Sequence, residues 1–243
     1  MSVHALAPRN VPTLSARIVA EVRDALLDGR YAAGDFFCTE KELAARYGVS
    51  RIVARDALRS LEAMGVVEIR PGAGGGARIG RGNPQRFAEA LAVQLELAGI
   101  EVDEIMAAQH AIECLAAELA ARHASIAEIS RLRDLIGEAE QLVDDVDRFT
   151  RSSLAFHLAV ADASHNRVLH YQLVSLQHVS WPSRNRTLTR AVARRVLDAH
   201  RRLADLIEAR DAAGARELMS EHVHMIGGRR LSERGKSKTA AFC

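Results

Sequence analysis

The chain has 243 residues, 48% of them hydrophobic, so it is long enough to bury the cores of two domains. Its 33 Lys and Arg against 31 Asp and Glu give a formal net charge of +2, and positive charge is concentrated between residues 46 and 81, where seven arginines stand against three acidic residues. The sequence contains no apolar run of 18 residues, so it predicts no membrane span. The cysteines are far apart, and the start of the chain lacks the basic-then-apolar order of a signal peptide. We therefore expect a cytoplasmic protein without disulfides that does not act at a membrane.

Two short helices joined by a tight turn are predicted near the start of the chain. A capping box of Thr39 and Glu42 begins the first helix, and Ser50 caps the second. Only Gly48 and Val49 separate the two helices, which is typical of a helix-turn-helix.

The second of these helices has an apolar face and a basic face. At 100° per residue, Arg51, Arg55 and Arg59 fall on one side with Ile52 at their edge. A row of charged residues on one face of a helix is more often simply exposed to solvent. This run, however, begins at a helix N-terminus, where the Ser50 hydroxyl and free backbone N–H groups point the same way. That arrangement suits phosphate and base-edge contacts in a major groove.

A glycine-rich tip between two short strands is predicted over residues 66–79. The glycines from Gly72 onward nominally match a dinucleotide-binding fingerprint, but that fingerprint must open a helix, and the following segment RIGRGNP cannot. Flanked by Arg70 and Arg78, the tip is better interpreted as a wing that approaches a narrow groove or the phosphates. The first 80 residues thus predict DNA binding.

The rest of the chain is predicted to be helical. The fold class is mainly α, with an N-terminal winged helix-turn-helix that carries a small β wing and a C-terminal all-α bundle of about seven helices. The predicted organisation is a flexible arm over 1–12, the winged domain over 13–80, a linker over 81–84, the helical domain over 85–227 and a disordered basic tail over 228–243. The seven helices are predicted near 84–98, 102–123, 126–144, 147–164, 166–181, 189–210 and 212–226.

Three histidines lie on the apolar faces of three predicted helices. They are His157, His200 and His222. A single histidine in such a position is more often a core residue than a ligand, but facing helices of a bundle commonly build metal sites. From the residues alone, both interpretations stay open.

Residues 28–75 resemble the winged helix-turn-helix of GntR-family transcription regulators. The resemblance covers the spacings G-x-x-x-x-G, E-L-A, G-V-S-R and R-D-A-L-x-x-L. It departs at Ile52 and Val53, where Thr or Pro is common, and Ile52 would meet a thymine methyl or face solvent. The resemblance implies DNA contacts through Lys41, Ser50, Arg51, Ile52 and Arg55, and a wing in the minor groove at Gly72 and Gly74.

The segments AAQHAIECLAAELAAR, SLAFHLAVADASHNRVL and DAHRRLADLIEARDAAGARELMSEH resemble the ligand-binding FCD domain of the FadR subgroup of that family. The resemblance implies a divalent metal, zinc or nickel, held by His157, His200 and His222, with a small organic acid completing the shell. It also implies an aspartate ligand four residues before His157, where this chain has Ser153.

A second departure concerns the effector. Where many relatives have an arginine that can pair with a carboxylate, this chain has His110. Together with Ser153, this change predicts an effector that is larger, less anionic or more apolar than a simple dicarboxylate. The candidate effector-binding residues are His110, Ser153 and Trp181.

The leading interpretation is therefore a metabolite-responsive regulator, expected to be a repressor, that binds an inverted-repeat operator in double-stranded DNA as a homodimer. One alternative is a zinc-dependent hydrolase that uses the three histidines, although Ser153 and Ala161 flank His157 where an acidic base would be needed. Another is an architectural DNA binder, although such proteins are usually basic throughout.

Overall fold

The computed structural model describes residues 12–72, 74–180 and 189–240, and the chain divides into two compact units after Arg86. Residues 1–11 of the predicted arm and Trp181 lie outside these ranges. In chain order, the elements are α1 (Leu14–Leu27), β1 (Phe36–Cys38), α2 (Glu40–Tyr47), α3 (Arg51–Ala63), β2 (Val67–Arg70), β3 (Gly76–Ile79), α4 (Pro84–Leu97), α5 (Val102–His123), α6 (Ile126–Glu140), α7 (Val146–Ala163), α8 (Arg167–Ser180), α9 (Arg190–Glu208) and α10 (Ala212–Ala240).

The first unit packs α1, α2 and α3 on a small antiparallel sheet with the strand order β1-β3-β2. Strands β2 and β3 form the predicted wing hairpin. Strand β1 was not predicted, because three residues are too short to show an alternating pattern. The core of this unit is formed by residues from every one of these elements, among them Ile18, Phe37, Leu43, Leu58, Leu61, Val67 and Ile79.

The boundary between the units lies slightly later than the predicted linker. Pro84, the last residue of that linker, begins α4. The Asn83 side chain accepts hydrogen bonds from the backbone N–H groups of Gln85 (3.0 Å) and Arg86 (3.2 Å), so it caps the helix. Proline is favoured at the first position of a helix, where its missing N–H costs nothing.

The second unit is a helical bundle. Helix α5 packs against α7, α8, α9 and α10, and α6 packs against α7 and α9. The seven predicted helices are confirmed, and their starts lie within a residue or so of the predicted positions. The capping box of Ser125 and Glu128 starts α6 as its sequence indicates.

The end of the chain differs from the expectation of a disordered tail from residue 228, because α10 continues to Ala240. Five of the twelve residues from Arg229 to Ala240 are Arg or Lys, which are good helix formers, and the segment contains no proline. In the part of the chain that the structure describes, no helix combines the length and apolar character needed to cross a membrane.

Candidate functional site

The turn between α2 and α3 sets the direction of the basic helix. Helix α2 ends at Gly48, whose left-handed backbone (φ 62°, ψ 34°) reverses the chain without strain. The Ser50 hydroxyl then accepts a hydrogen bond from the backbone N–H of Val53 (3.3 Å) and caps α3. This cap occupies one of the four N–H groups that the start of a helix leaves unpaired.

Helix α3 is divided as its sequence predicts. Its buried face, formed by Ala54, Ala57, Leu58 and Leu61, packs into the core of the first unit. The opposite face is open: Arg51 and Arg55 are exposed, and Ile52 has 70% of its surface exposed. An apolar side chain held so far out of the core contributes little to folding, which leaves it free to contact a ligand.

Arg55 has a partner that the sequence pattern did not reveal. Its guanidinium donates from Nε to Glu40 Oε1 (2.9 Å) and from Nη2 to Glu40 Oε2 (3.0 Å), which joins α3 to the start of α2. The hydrogen bond from Arg55 lowers the pKa of the Glu40 carboxyl group. Lys41, the next residue, is exposed on the same short helix.

Two glycines of the wing tip, Gly72 and Gly74, are exposed to solvent. Gly72 and Gly74 have φ values of 95° and 79°, which residues with side chains rarely adopt. Arg70 is exposed at the end of β2. Arg78, in contrast, lies over the ring of Phe36 at 5.6 Å, so of the two predicted wing arginines only Arg70 projects freely from the domain.

In the helical unit, His157 of α7, His200 of α9 and His222 of α10 meet at one buried point. Their exposed fractions are 6%, 1% and 4%. The Nε2 atom of His222 lies 3.2 Å from Nε2 of His200 and 3.3 Å from Nε2 of His157. All three ligand nitrogens lie within 4.8 Å of one another, so the structure brings the three predicted side chains together.

The electrostatics of this cluster keep two imidazoles neutral. Burial, reinforced by the neighbouring histidines, lowers the pKa of His222 to about 3 and that of His200 well below its usual value. Neutral imidazole is the form in which histidine offers a lone pair to a metal ion.

Two further polar side chains of α5 belong to the cluster and were missed by sequence reasoning. Glu113, 1% exposed, places its Oε2 in contact with Nδ1 of His157, and Gln109 donates to Glu113 Oε1. Burial opposes ionisation of Glu113, but His157 and the Gln109 hydrogen bond outweigh it, so the pKa of this carboxyl group is lowered. The signal available in the sequence was their spacing of four residues along the buried side of α5, together with Met106 and Ala117.

The predicted effector residues have different surroundings. Nε2 of His110 lies 2.9 Å from the Ser220 hydroxyl, and the imidazole packs edge-on against His224 at 4.5 Å between ring centres. Burial and His224 lower the pKa of His110. Ser153 is partly buried, one turn before His157 on α7.

The three histidines fit a metal ion. A tetrahedral ion with bonds of about 2.0–2.1 Å to nitrogen holds its ligand atoms about 3.3–3.4 Å apart, close to the two Nε2 distances observed. The contact of Nδ1 with Glu113 leaves Nε2 of His157 facing the other two histidines, where it would be the ligand atom. One hydrogen on Nε2 of His222 can point at only one of its two neighbours. A shared cation would satisfy all three nitrogens at once.

Comparison with known families matches both units. Residues 14–76 match the family described as bacterial regulatory proteins, gntR family, and residues 104–225 match the FCD domain. The second match covers half of the chain. It contains all three histidines of the cluster and Glu113.

Individual relatives agree with these matches. LutR, an HTH-type transcriptional regulator of Bacillus subtilis (strain 168), is 26% identical over 202 residues, which cover 81% of this chain and 91% of LutR. A protein of Escherichia coli (strain K12), whose name links it to an L-lactate dehydrogenase operon, is 33% identical over 88% of this chain and 84% of its own. The solved structure of Streptococcus agalactiae GntR has the same fold, with a TM-score of 0.61 and 22% identity over 88% of this chain and 99% of that one. The chain therefore belongs to the GntR family of bacterial transcription regulators and carries an FCD domain.

Proposed function

We propose that this regulator is a metabolite-responsive repressor that binds an inverted-repeat operator as a homodimer in the cytoplasm. The observation that carries the proposal is the open face of α3, where exposed basic side chains and an exposed isoleucine stand at the N-terminal end of a helix packed on its other side. A helix presented in this way can enter a major groove, and two-fold symmetry of the dimer would match the symmetry of the operator.

Each residue of this face has a proposed role. Arg51 reads a base edge, Ser50 and Lys41 contact phosphates, and Ile52 packs on a thymine methyl. Arg55 contacts the backbone of the duplex after it exchanges Glu40 for phosphate. The wing tip at Gly72 and Gly74 brings the main chain close to the minor groove, because these glycines have no side chains in the way.

For the sensing function, we propose that His157, His200 and His222 hold one divalent ion, zinc or nickel. Such an ion supplies a Lewis-acidic position to which the donor atom of an effector can bind. The three ligands come from α7, α9 and α10, so they tie together the helices that line the site. The effector, an organic acid or a more apolar metabolite, would contact Ser153, and His110 and Trp181 are further candidates for its pocket.

The position of Glu113 favours sensing over hydrolysis. A metal-dependent hydrolase needs a general base within hydrogen-bond reach of the metal-bound water. Glu113 instead contacts Nδ1 of His157, the ring nitrogen on the far side from the point where the Nε2 atoms converge. Glu113 is therefore not placed to act as a general base on a metal-bound water.

Operator binding tests the regulatory function directly. The operator is first selected from a random duplex library, and the Kd is then measured by fluorescence anisotropy at one salt concentration. Arg51→Ala should weaken binding by about 5- to 150-fold, the equivalent of one base contact worth roughly 1–3 kcal/mol. The control is Arg131→Ala, an exposed arginine of α6 that pairs with Glu138. Failure to select any preferred sequence, or an unaltered Kd for Arg51→Ala, would contradict the proposal.

Metal content tests the sensing site. Mass spectrometry of gently purified protein should find about one zinc or nickel per chain. The metal should be lost in His200→Ala and kept in His224→Ala, which removes an exposed histidine of α10. If wild type and the His224→Ala variant contain no metal and take up none on addition, the three histidines are hydrogen-bonding residues of the core.

A further inference from the structure

A buried carboxyl group beside the three histidines is the feature of this unit that the function proposed above leaves unexplained. Glu113 is 1% exposed, so its carboxyl group lies inside the bundle. Burying a charge is costly unless it is paired. Its two carboxyl oxygens contact His157 and Gln109.

These contacts hold the carboxylate in one orientation. Gln109 lies one helical turn before Glu113 on α5 and donates its Nε2 to Oε1 at 2.5 Å. The second oxygen, Oε2, then faces Nδ1 of His157 on α7. A carboxylate only accepts hydrogen bonds, so it favours the tautomer of His157 that has its proton on Nδ1 and presents Nε2 as the ligand atom.

The charge of the site also requires such a group. Three histidines supply no negative charge. Their side chains are 1–6% exposed, so the charge of a divalent ion bound between them would be buried without an anion in the ligand shell. Ser153, one turn before His157, is neutral as well. Glu113, in contact with His157, places a carboxyl group next to the cluster.

We infer that Glu113 is the positioning residue of the metal site, acting on the ion through His157. It fixes the tautomer and ring orientation of His157 and offsets the charge of the ion from outside the ligand shell. The inference rests on the proposed function, because it requires that the three histidines bind metal. A glutamate that served only to fill space in the core would not change the metal affinity of the three histidines.

The test compares metal affinity in variants that differ in charge and reach. Cobalt(II) and zinc are titrated into metal-free protein in competition with a chromophoric chelator. Glu113→Gln keeps the size of the side chain and removes its charge, and loss of such an outer partner typically costs about 10- to 100-fold in metal affinity. Glu113→Asp restores the charge with a shorter reach and should recover part of the loss. The matched control is Glu118→Gln, which alters a partly exposed glutamate on the same helix.

A second readout needs no metal. Long-range ¹H–¹⁵N correlation spectra of the metal-free protein should show the proton of His157 on Nδ1 in wild type and in Glu118→Gln. In Glu113→Gln, the amide can donate to Nδ1, so the proton should move to Nε2 in a fraction of molecules. Circular dichroism and thermal unfolding establish that each variant is folded. If Glu113→Gln does not fold, metal affinity and the His157 tautomer are measured in Glu113→Asp instead.

The outcomes separate this inference from the function on which it rests. Tight binding by wild type with a 10-fold or greater loss in Glu113→Gln supports it. Wild-type affinity and an unchanged His157 tautomer in the Glu113 variants overturn the inference while leaving the metal site intact. No binding of cobalt, zinc or nickel by wild type overturns the metal site itself, and the positioning role with it.

Discussion

Arg55 pairs with Glu40 in the free protein, and in the proposed complex the phosphates of the duplex would compete with Glu40 for its guanidinium. The ion pair with Glu40 is bidentate but exposed to solvent, so it stabilises the fold only weakly. A pair of that strength holds the guanidinium in a defined place without preventing it from moving to DNA.

We expect the salt dependence of binding to report this exchange. If Arg55 contacts one phosphate, Arg55→Ala should reduce the slope of log K against log salt concentration by about 0.9. Glu40→Gln removes an opposing charge and should tighten binding to random duplex by up to about 5-fold. The slopes are measured by anisotropy between low and moderate salt. An unchanged slope in Arg55→Ala would show that this arginine stays with Glu40 in the complex.

Among individual residues, the sequence predicted the histidine cluster and missed its carboxylate. His157, His200 and His222 were found because each lies on the apolar stripe of its own helix. Glu113 also lies on the buried side of its helix, but its partner His157 belongs to α7, and a pairing between helices depends on packing that local periodicity does not encode. The pair of Arg55 and Glu40 was missed for the same reason.

At the scale of elements, helices that begin with capping signals were predicted well. Ser125 accepts from the backbone N–H of Glu128, and the Glu128 carboxylate accepts from the backbone N–H of Ser125, so local chemistry alone fixes the start of α6. The short strand β1 could not be predicted in this way, because it depends on its pairing with β3. The C-terminal part of α10 was missed because a polar, basic composition indicates either a tail or a solvated helix.

The α6 capping box gives a test at this scale. Ser125→Ala should lower the free energy of unfolding of the helical unit by about 1 kcal/mol, because it removes the acceptor for the Glu128 N–H. Ser130→Ala, at an exposed position inside the same helix, should change it by less than about 0.5 kcal/mol. Urea unfolding followed by circular dichroism measures both. Equal effects of the two substitutions would show that the cap does not stabilise the helix.

The same capping box should depend on pH. Burial opposes ionisation of Glu128, but hydrogen bonds from Ser125 and His165 outweigh it and lower the pKa of this carboxyl group. A lowered pKa stabilises the fold above the unfolded value, about 4.3, and this contribution is lost as the pH falls. Glu128→Gln should therefore be destabilising at pH 7 and closer to neutral at pH 3. A constant difference between these pH values would contradict the direction of the shift.

For the whole molecule, the two units should respond differently to metal. An ion that binds only the folded helical unit stabilises that unit by about 2.7 kcal/mol at a free concentration of 100 times Kd. Zinc should therefore slow amide hydrogen exchange in α7, α9 and α10 and leave the winged unit unchanged. A chelator should reverse the effect, and His222→Ala should abolish it while His224→Ala does not. Equal protection of both units would point to nonspecific binding.

The depth of the histidine cluster also has a consequence for timing. Side chains that are 1–6% exposed can be reached by an ion only when the helices around them open, and such openings are rare in a well-packed core. Once an ion is captured, its release waits for the same openings, so its residence time should be long. An effector that binds the ion has to reach the same buried point, so its arrival and departure should wait for these openings too. The rate at which the helical unit opens would then set how fast the regulator responds to its metabolite.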